Sequence, residues 1–415
     1  FYAGIGHEDA SPLVIHNTCY RNVRAGIGIS EGACPTVRRN KCFENRRAGI
    51  GVRTGASTSP IIEDNDCYGN DMAGIGAREE STPIIRHNRC YRNALAGIGC
   101  RTKARPIIEH NECYENTMAG IGCRTEAEPV IRFNTCHDNE TAGIGSQLEA
   151  RPVIVSNECF GNRMAGIGTE THAVAVIRNN ECYSNQMAGI GARQGARPVI
   201  EGNHCYDNVL AGIGSEDESI SIIRNNRCVK NKQAGIGVQT GAQAVISDNL
   251  CEGNSLAGLG VREAASAILV RNQCLENGTV AIGVRNGSHA HVAQTFERRA
   301  QIGVGVDDHA FGDLELNVVD ANAALKNTHI LAGELGAVLE VLPVVLLAAL
   351  AASLIEAFLI LPHHMAHALE GSNKTTFSRT RLGVALTAIA ALSAVVSGAI
   401  SFVLWPEIMT DWRAA

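Results

Sequence analysis

Short apolar runs alternate with polar, asparagine-rich corners along most of the chain, and they recur in fixed phase. The unit reads Pro-(Val/Ile)-Ile-x-x-Asn-x-Cys-Tyr-x-Asn-x-x-Ala-Gly-Ile-Gly. Its cysteines stand at positions 19, 42, 67, 90, 113, 136, 159, 182, 205, 228, 251 and 274, spaced by 23 residues except for one step of 25. One asparagine keeps the same period from Asn17 and Asn40 to Asn272, and a second from Asn22 and Asn45 to Asn277. Runs such as Pro60-Ile61-Ile62 and Ala48-Gly49-Ile50-Gly51-Val52 have strand character, and the period is too short for a helix pair. The pattern predicts an all-β solenoid, a parallel β-helix with three short strands in each 23-residue coil. Residue i then stacks on residue i+23 at about 4.8 Å, and about twelve coils give a rod of roughly 58 Å.

Each position of the repeat is therefore a physical column. Two residues before the first asparagine, the column reads Arg38, Glu63, Arg86, Glu109, Arg132, Val155, Arg178, Glu201, Arg224. Alternating charge across neighbouring strands is favourable, so this column supports the register and assigns its arginines to one another's glutamates. The Cys column lacks the Cys-x-x-Cys spacing of metal sites, and a narrow core needs one small apolar side chain per coil; a buried, inert thiol stack is expected, with no metal. Cys100 and Cys123 form a second short column, and Cys34 stands alone. Asparagines suit the corners, where an amide satisfies turn backbone and the next amide above. Glycines on both sides of Ile5, Ile27 and Ile50 allow tight or positive-φ backbone. The residue after Cys gives Tyr20, Phe43, Tyr68, Tyr91, Tyr114, His137, Phe160, Tyr183 and Tyr206. With Cys inward these rings face outward; they either stack on each other or offer carbohydrate a surface, which makes Tyr20, Phe43, Tyr68, Tyr91, Tyr114, Tyr183 and Tyr206 ligand-binding candidates.

Charge narrows the partners. Thirty-six Lys+Arg against 42 Asp+Glu leave a formal net charge of −6, which provides no basic field for a phosphate backbone, so nucleic acid is not expected. Nothing in the repeat demands a cofactor. Acidic residues on neighbouring coils include Asp207, Glu216, Asp217 and Glu218, a grouping any polar rod produces. The segment from Gly305 to Asp313, with Asp307, Asp308 and His309, is an irregular acidic stretch that could hold a hard cation but is read as a capping turn where the repeat fades.

The unit Pro83-Ile84-Ile85-Arg86-His87-Asn88-Arg89-Cys90-Tyr91-Arg92-Asn93, closing in Ala96-Gly97-Ile98-Gly99, resembles the right-handed parallel β-helix repeat family. The resemblance covers residues 1–290 and implies the fold. That family includes carbohydrate-active enzymes, periplasmic accessory proteins and repeat modules of F-box proteins. The catalytic carboxylates of its enzymes do not recur in this repeat, and no catalytic residue is assigned.

Residues 291–332 are read as cap and linker, and the composition then changes. Ala337 to Leu361 is nearly all apolar apart from Glu340, Pro343 and Glu356, and Leu382 to Trp405 carries no charge. Each stretch is long enough to span a hydrocarbon core of roughly 30 Å as a helix. Lys374, Arg379 and Arg381 between them place that loop in the cytoplasm and both flanks on the other side. Glu356 within an apolar helix should face a protein neighbour. His363, His364 and His367 are read as loop residues at the membrane face. Ser353-Leu354-Ile355-Glu356-Ala357-Phe358-Leu359-Ile360-Leu361-Pro362-His363-His364 resembles the sixth transmembrane segment of resistance-nodulation-division (RND) efflux permeases, and Ser401-Phe402-Val403-Leu404-Trp405-Pro406-Glu407-Ile408 with Asp411 is similar to the end of the seventh. The resemblance implies a two-helix hairpin over 333–415 in a Gram-negative inner membrane, with the β-helix on the periplasmic side. The proton-relay helices of those permeases have no counterpart in the chain.

The expectation is a non-enzymatic, membrane-anchored β-helix that serves as scaffold or binding accessory to other subunits of a membrane complex. The alternatives are a segment of an RND-type transporter carrying an inserted β-helix, and a β-helix that binds or cleaves polysaccharide.

Overall fold

The computed structural model describes residues 3–298, 300, 302–307, 310–315 and 318–319. Each coil gives one strand to each of three parallel sheets, and each sheet has 14 strands. One coil shows the plan: Ile98–Arg101 lies in the first sheet, Ile107–Glu109 in the second and Glu112–Tyr114 in the third. Register follows the sequence columns, with Ile98 opposite Ile121, Ile85 opposite Ile108 and Cys90 opposite Cys113.

Strands of three to five residues with period-two alternation send one or two side chains per strand inward. Ile98, Ile121 and Ile144 from the first sheet, Ile85, Ile108 and Ile131 from the second, and Cys90, Cys113 and Cys136 from the third are fully buried. Two columns of isoleucine leave room for only a small third side chain, which is the packing reason for cysteine. All the column thiols are free and buried, and Cys34 is exposed. Burial pushes the thiols of Cys90, Cys113, Cys159 and Cys228 up, so they stay protonated.

Both asparagine columns are buried and close the corners. The Asn93 side-chain amide donates to Asn116 Oδ1 at 3.0 Å and to the Cys67 carbonyl at 3.0 Å, while the Asn93 backbone N–H donates to the same Oδ1 at 3.1 Å. Asn88 repeats the scheme with Asn111 and the Ile62 and Arg86 carbonyls. Each amide thus links three successive coils and leaves no buried polar atom of its own unpaired.

Two expectations are revised. The solenoid exceeds twelve coils and does not stop at residue 290: Phe296–Arg298, Ile302–Val306, Phe311–Glu315 and Val318–Val319 extend the three sheets. The stretch from Gly305 to Asp313, read as a capping turn, has strand at both ends; residues 308–309 lie outside the described set. Backbone pairing tolerates loss of the consensus, and Glu297 stands where the Cys column would continue, opposite Cys274. Positive φ, the alternative to tight backbone for the repeat's glycines, is the second. It falls on polar corner residues such as His87 (54°), His110 (55°) and Thr102 (57°), not on the glycines beside the buried isoleucines.

The chain divides into two units, 1–335 and 336–415. The predicted hairpin at 333–415, with Glu356, His363, His364 and His367, lies outside the described residues. Among the described residues no helix is long and apolar enough to cross a membrane.

Candidate ligand-binding groove

In the first sheet the motif Ala-Gly-Ile-Gly holds two glycine columns with different causes. At Gly97 an added Cβ would lie 2.7 Å from the Gly120 carbonyl oxygen and 2.9 Å from Asn116 Nδ2. That glycine is required by the fold, because the corner asparagine and the next coil occupy its side-chain space. At Gly99 an added Cβ would meet only the Ala73 methyl, at 3.6 Å, and Gly122 and Gly145 are alike with Ala96 and Ala119 at 3.5 and 3.6 Å. These are ordinary contacts, and none of the three has positive φ. A strand position with room for a Cβ nonetheless keeps none, coil after coil.

Because Ile98 and Cys100 point inward, this second glycine points outward, and the column forms a bare floor. A groove of about 800 Å³ runs along it, and from Gly76 to Gly283 the floor is about 43 Å long at the strand spacing. Its two walls differ. One is mostly apolar, with Ala73, Ala96 and Ala119 beside a column of Met72, Leu95, Met118, Met164, Met187 and Leu210 that Thr141, Gln233 and Thr279 interrupt; the other is polar, made of Arg78, Arg101, Arg124, Gln147, Glu170, Arg193, Glu216, Gln239, Arg262 and Arg285.

The polar wall has two halves. Toward the C-terminal coils both signs of charge are mixed with glutamine and bonded to one another: Arg193 pairs with Glu170 at 2.5 Å, Gln147 donates to the same carboxylate, Gln239 donates to Glu216 at 2.7 Å, and Arg262 donates to Gln239 at 2.7 Å. Toward the N-terminal coils Arg78 lies opposite Arg101, and Arg101 opposite Arg124. Arg53 extends the column by one coil, its backbone N–H bonded to Ile29 in the ladder. Burial, and then the charge of Arg101 with those of Arg47 and Arg53, lowers the pKa of Arg78 against the opposing pull of Glu79. Of the acidic residues singled out in the sequence, Glu216 lines the groove. The groove's carboxylates, Glu170 and Glu216, stand two coils apart, about 10 Å along the axis. Among the described residues no group of three or more His, Cys, Asp or Glu side chains could hold a metal ion.

The aromatic candidates lie elsewhere, on the third sheet. From Tyr20 through Phe43, Tyr68, Tyr91, Tyr114, His137, Phe160 and Tyr183 to Tyr206, successive ring centroids are 4.8–5.1 Å apart and the planes within 11° of parallel. The ring faces are taken up by one another, and the stack presents edges. Tyr183 and Tyr206 donate their hydroxyls to Glu158 and Glu181, each at 2.7 Å; burial and then these carboxylates raise both phenol pKa values. The groove itself was not found in the sequence, although its signal is there: alternation through Ala-Gly-Ile-Gly puts Ile inside and the second Gly outside.

A parallel three-sheet solenoid with a floor-and-wall groove along one sheet defines the class of protein. The chain belongs to the family described as right handed beta helix region, matched over residues 3–147, 48–174 and 134–275. Solved structures agree on the fold. The A-module of mannuronan C-5 epimerase AlgE6 from Azotobacter vinelandii is 16% identical with a TM-score of 0.51, the similarity covering 75% of this chain and 90% of that one. A double mutant of the periplasmic alginate epimerase AlgG is 14% identical with a TM-score of 0.50, over 70% of this chain and 78% of that one. No curated protein matches the sequence.

Proposed function

We propose that the groove of the first sheet binds a linear polysaccharide, lying extended along the rod axis. The observation that carries this reading is the outward glycine column, where the fold tolerates a side chain and the sequence withholds one. Glycine weakens a strand, and within strands it marks places where a ligand or another backbone approaches closely. The wall chemistry supports the same occupant: sugar rings have apolar faces and hydroxyl edges, and the groove has an apolar side and a side of Arg, Gln and Glu. The names of the similar structures, a mannuronan epimerase and an alginate epimerase, are in keeping with it. Binding is favoured over cleavage because Glu170 is held by Arg193 and Gln147, which leaves the groove without a free carboxylate pair at catalytic spacing.

This reading replaces the scaffold expectation as the main one. The basic loop at 363–381 supports an anchor at 333–415 and a periplasmic position for the groove; impermeant protease added to spheroplasts should then cut the rod and spare that loop, and the reverse pattern would remove the periplasmic placement. The groove is tested by Gly145→Val in the full chain, which fills the floor at mid-length. The variant should keep or raise its unfolding midpoint and lose retention on the polysaccharides that the unaltered chain retains on a glycan array. Equal retention by the two would refute the groove reading.

A further inference from the structure

We infer that the N-terminal half of the groove is selective for an acidic polysaccharide, whose carboxylates are received by the arginine column Arg53, Arg78, Arg101 and Arg124. The inference rests on the groove reading and adds the charge of the ligand. In the alternating column of the second sheet stacked charges neutralise one another: Arg86 pairs with Glu63 at 2.8 Å, Arg132 with Glu109 at 2.7 Å, and Glu201 receives both Arg178 and Arg224 at 3.0 and 3.1 Å. The four arginines break that habit. Arg78 faces Arg101 and Arg101 faces Arg124 directly across the ladder, and among the described residues none of the four forms an ion pair or a side-chain hydrogen bond. Like charges at strand spacing repel and cost stability.

The opposite wall completes the picture. Arg47 stands at its N-terminal end, close enough to act electrostatically on Arg78, before the wall becomes Met72, Leu95 and Met118. Guanidinium groups present planar forks suited to carboxylates. They recur at about 4.8 Å along the axis, a spacing of the same order as the length of one ring in an extended sugar chain. An acidic chain therefore meets positive charge at successive rings and the bare glycine floor beneath them, while the mixed-charge wall from Gln147 onward receives the rest of the chain through hydrogen bonds. The overall negative charge of the protein makes this a local field, which favours a ligand seated in the groove over a long polyanion spread across the surface.

The experiment uses the full chain with three probes: a linear oligouronate, the same oligosaccharide with its carboxyl groups reduced to alcohols, and a single-stranded oligonucleotide. Binding of the oligouronate should be tightest and should weaken as salt is raised. Arg101→Gln and Arg124→Gln should each weaken it about tenfold and weaken binding of the reduced oligosaccharide by much less, because glutamine keeps a hydrogen-bonding group in the wall but not the charge. Both should also raise the unfolding midpoint, since each relieves repulsion, so loss of affinity would not reflect misfolding. Equal affinity for acidic and reduced chains, insensitive to both substitutions but abolished by Gly145→Val, would overturn the acidic selectivity and leave the groove reading standing. Tighter binding of the oligonucleotide would overturn it as well, as would acidic binding that survives Gly145→Val.

Discussion

At the scale of single residues, identity follows from what sits one coil away. Gly97 and Gly99 are two positions apart in one strand and carry opposite predictions. Gly97→Ala forces a methyl against the Gly120 carbonyl and should cost on the order of 2 kcal/mol or more. Gly99→Ala meets only Ala73 and should be neutral or stabilising by about 0.5–1 kcal/mol, as read from urea unfolding midpoints. Thiols give a second test. The column from Cys19 to Cys274 is buried and Cys34 is exposed, so alkylation of the native protein should modify Cys34 rapidly and the rest only after denaturation; fast labelling of the column would overturn the packing account. The inward thiols and corner asparagines were legible in the sequence because a 23-residue period makes one column one environment. The glycines were legible as columns but not as to cause. Tight packing and positive φ were both open from the sequence, and at Gly97 the cause is the first, a close contact with a residue 23 positions away.

Strands and sheets carry the register. The alternating column is real: Glu63, Arg86 and Glu109 lie opposite one another in the second sheet. Glu109→Arg would put three arginines in succession and should destabilise by roughly 1 kcal/mol. Val155→Arg, between Arg132 and Arg178, removes no existing ion pair and should cost less. Equal shifts would contradict the stacking. The aromatic column shows what a column of like residues does when sheets are parallel and in register: identical side chains stack face to face at the strand spacing. The stripe and its outward direction were legible in the sequence, but not which surface the ring faces would meet. That depends on side-chain rotamers, which periodicity does not specify. Strands beyond residue 290 escaped notice for a related reason. Parallel pairing needs backbone geometry and a few inward apolar residues such as Ile282 opposite Val304, and these persist after the asparagine and cysteine signature has faded.

For the whole molecule, function is a matter of continuity, since a groove that crosses many coils exists only if each coil contributes the same small residue at the same place. Ten successive coils do so between Gly76 and Gly283, and the polar wall then divides the groove into an arginine section and a longer section of mixed charge. The most direct test is the affinity of the full chain for a series of oligosaccharides of increasing length. If one extended chain lies along the floor, affinity should climb with each added ring until the ligand spans about 43 Å and then stay level. Affinity already at its plateau for a disaccharide, or rising without a break well beyond that length, would contradict a groove that holds one chain end to end.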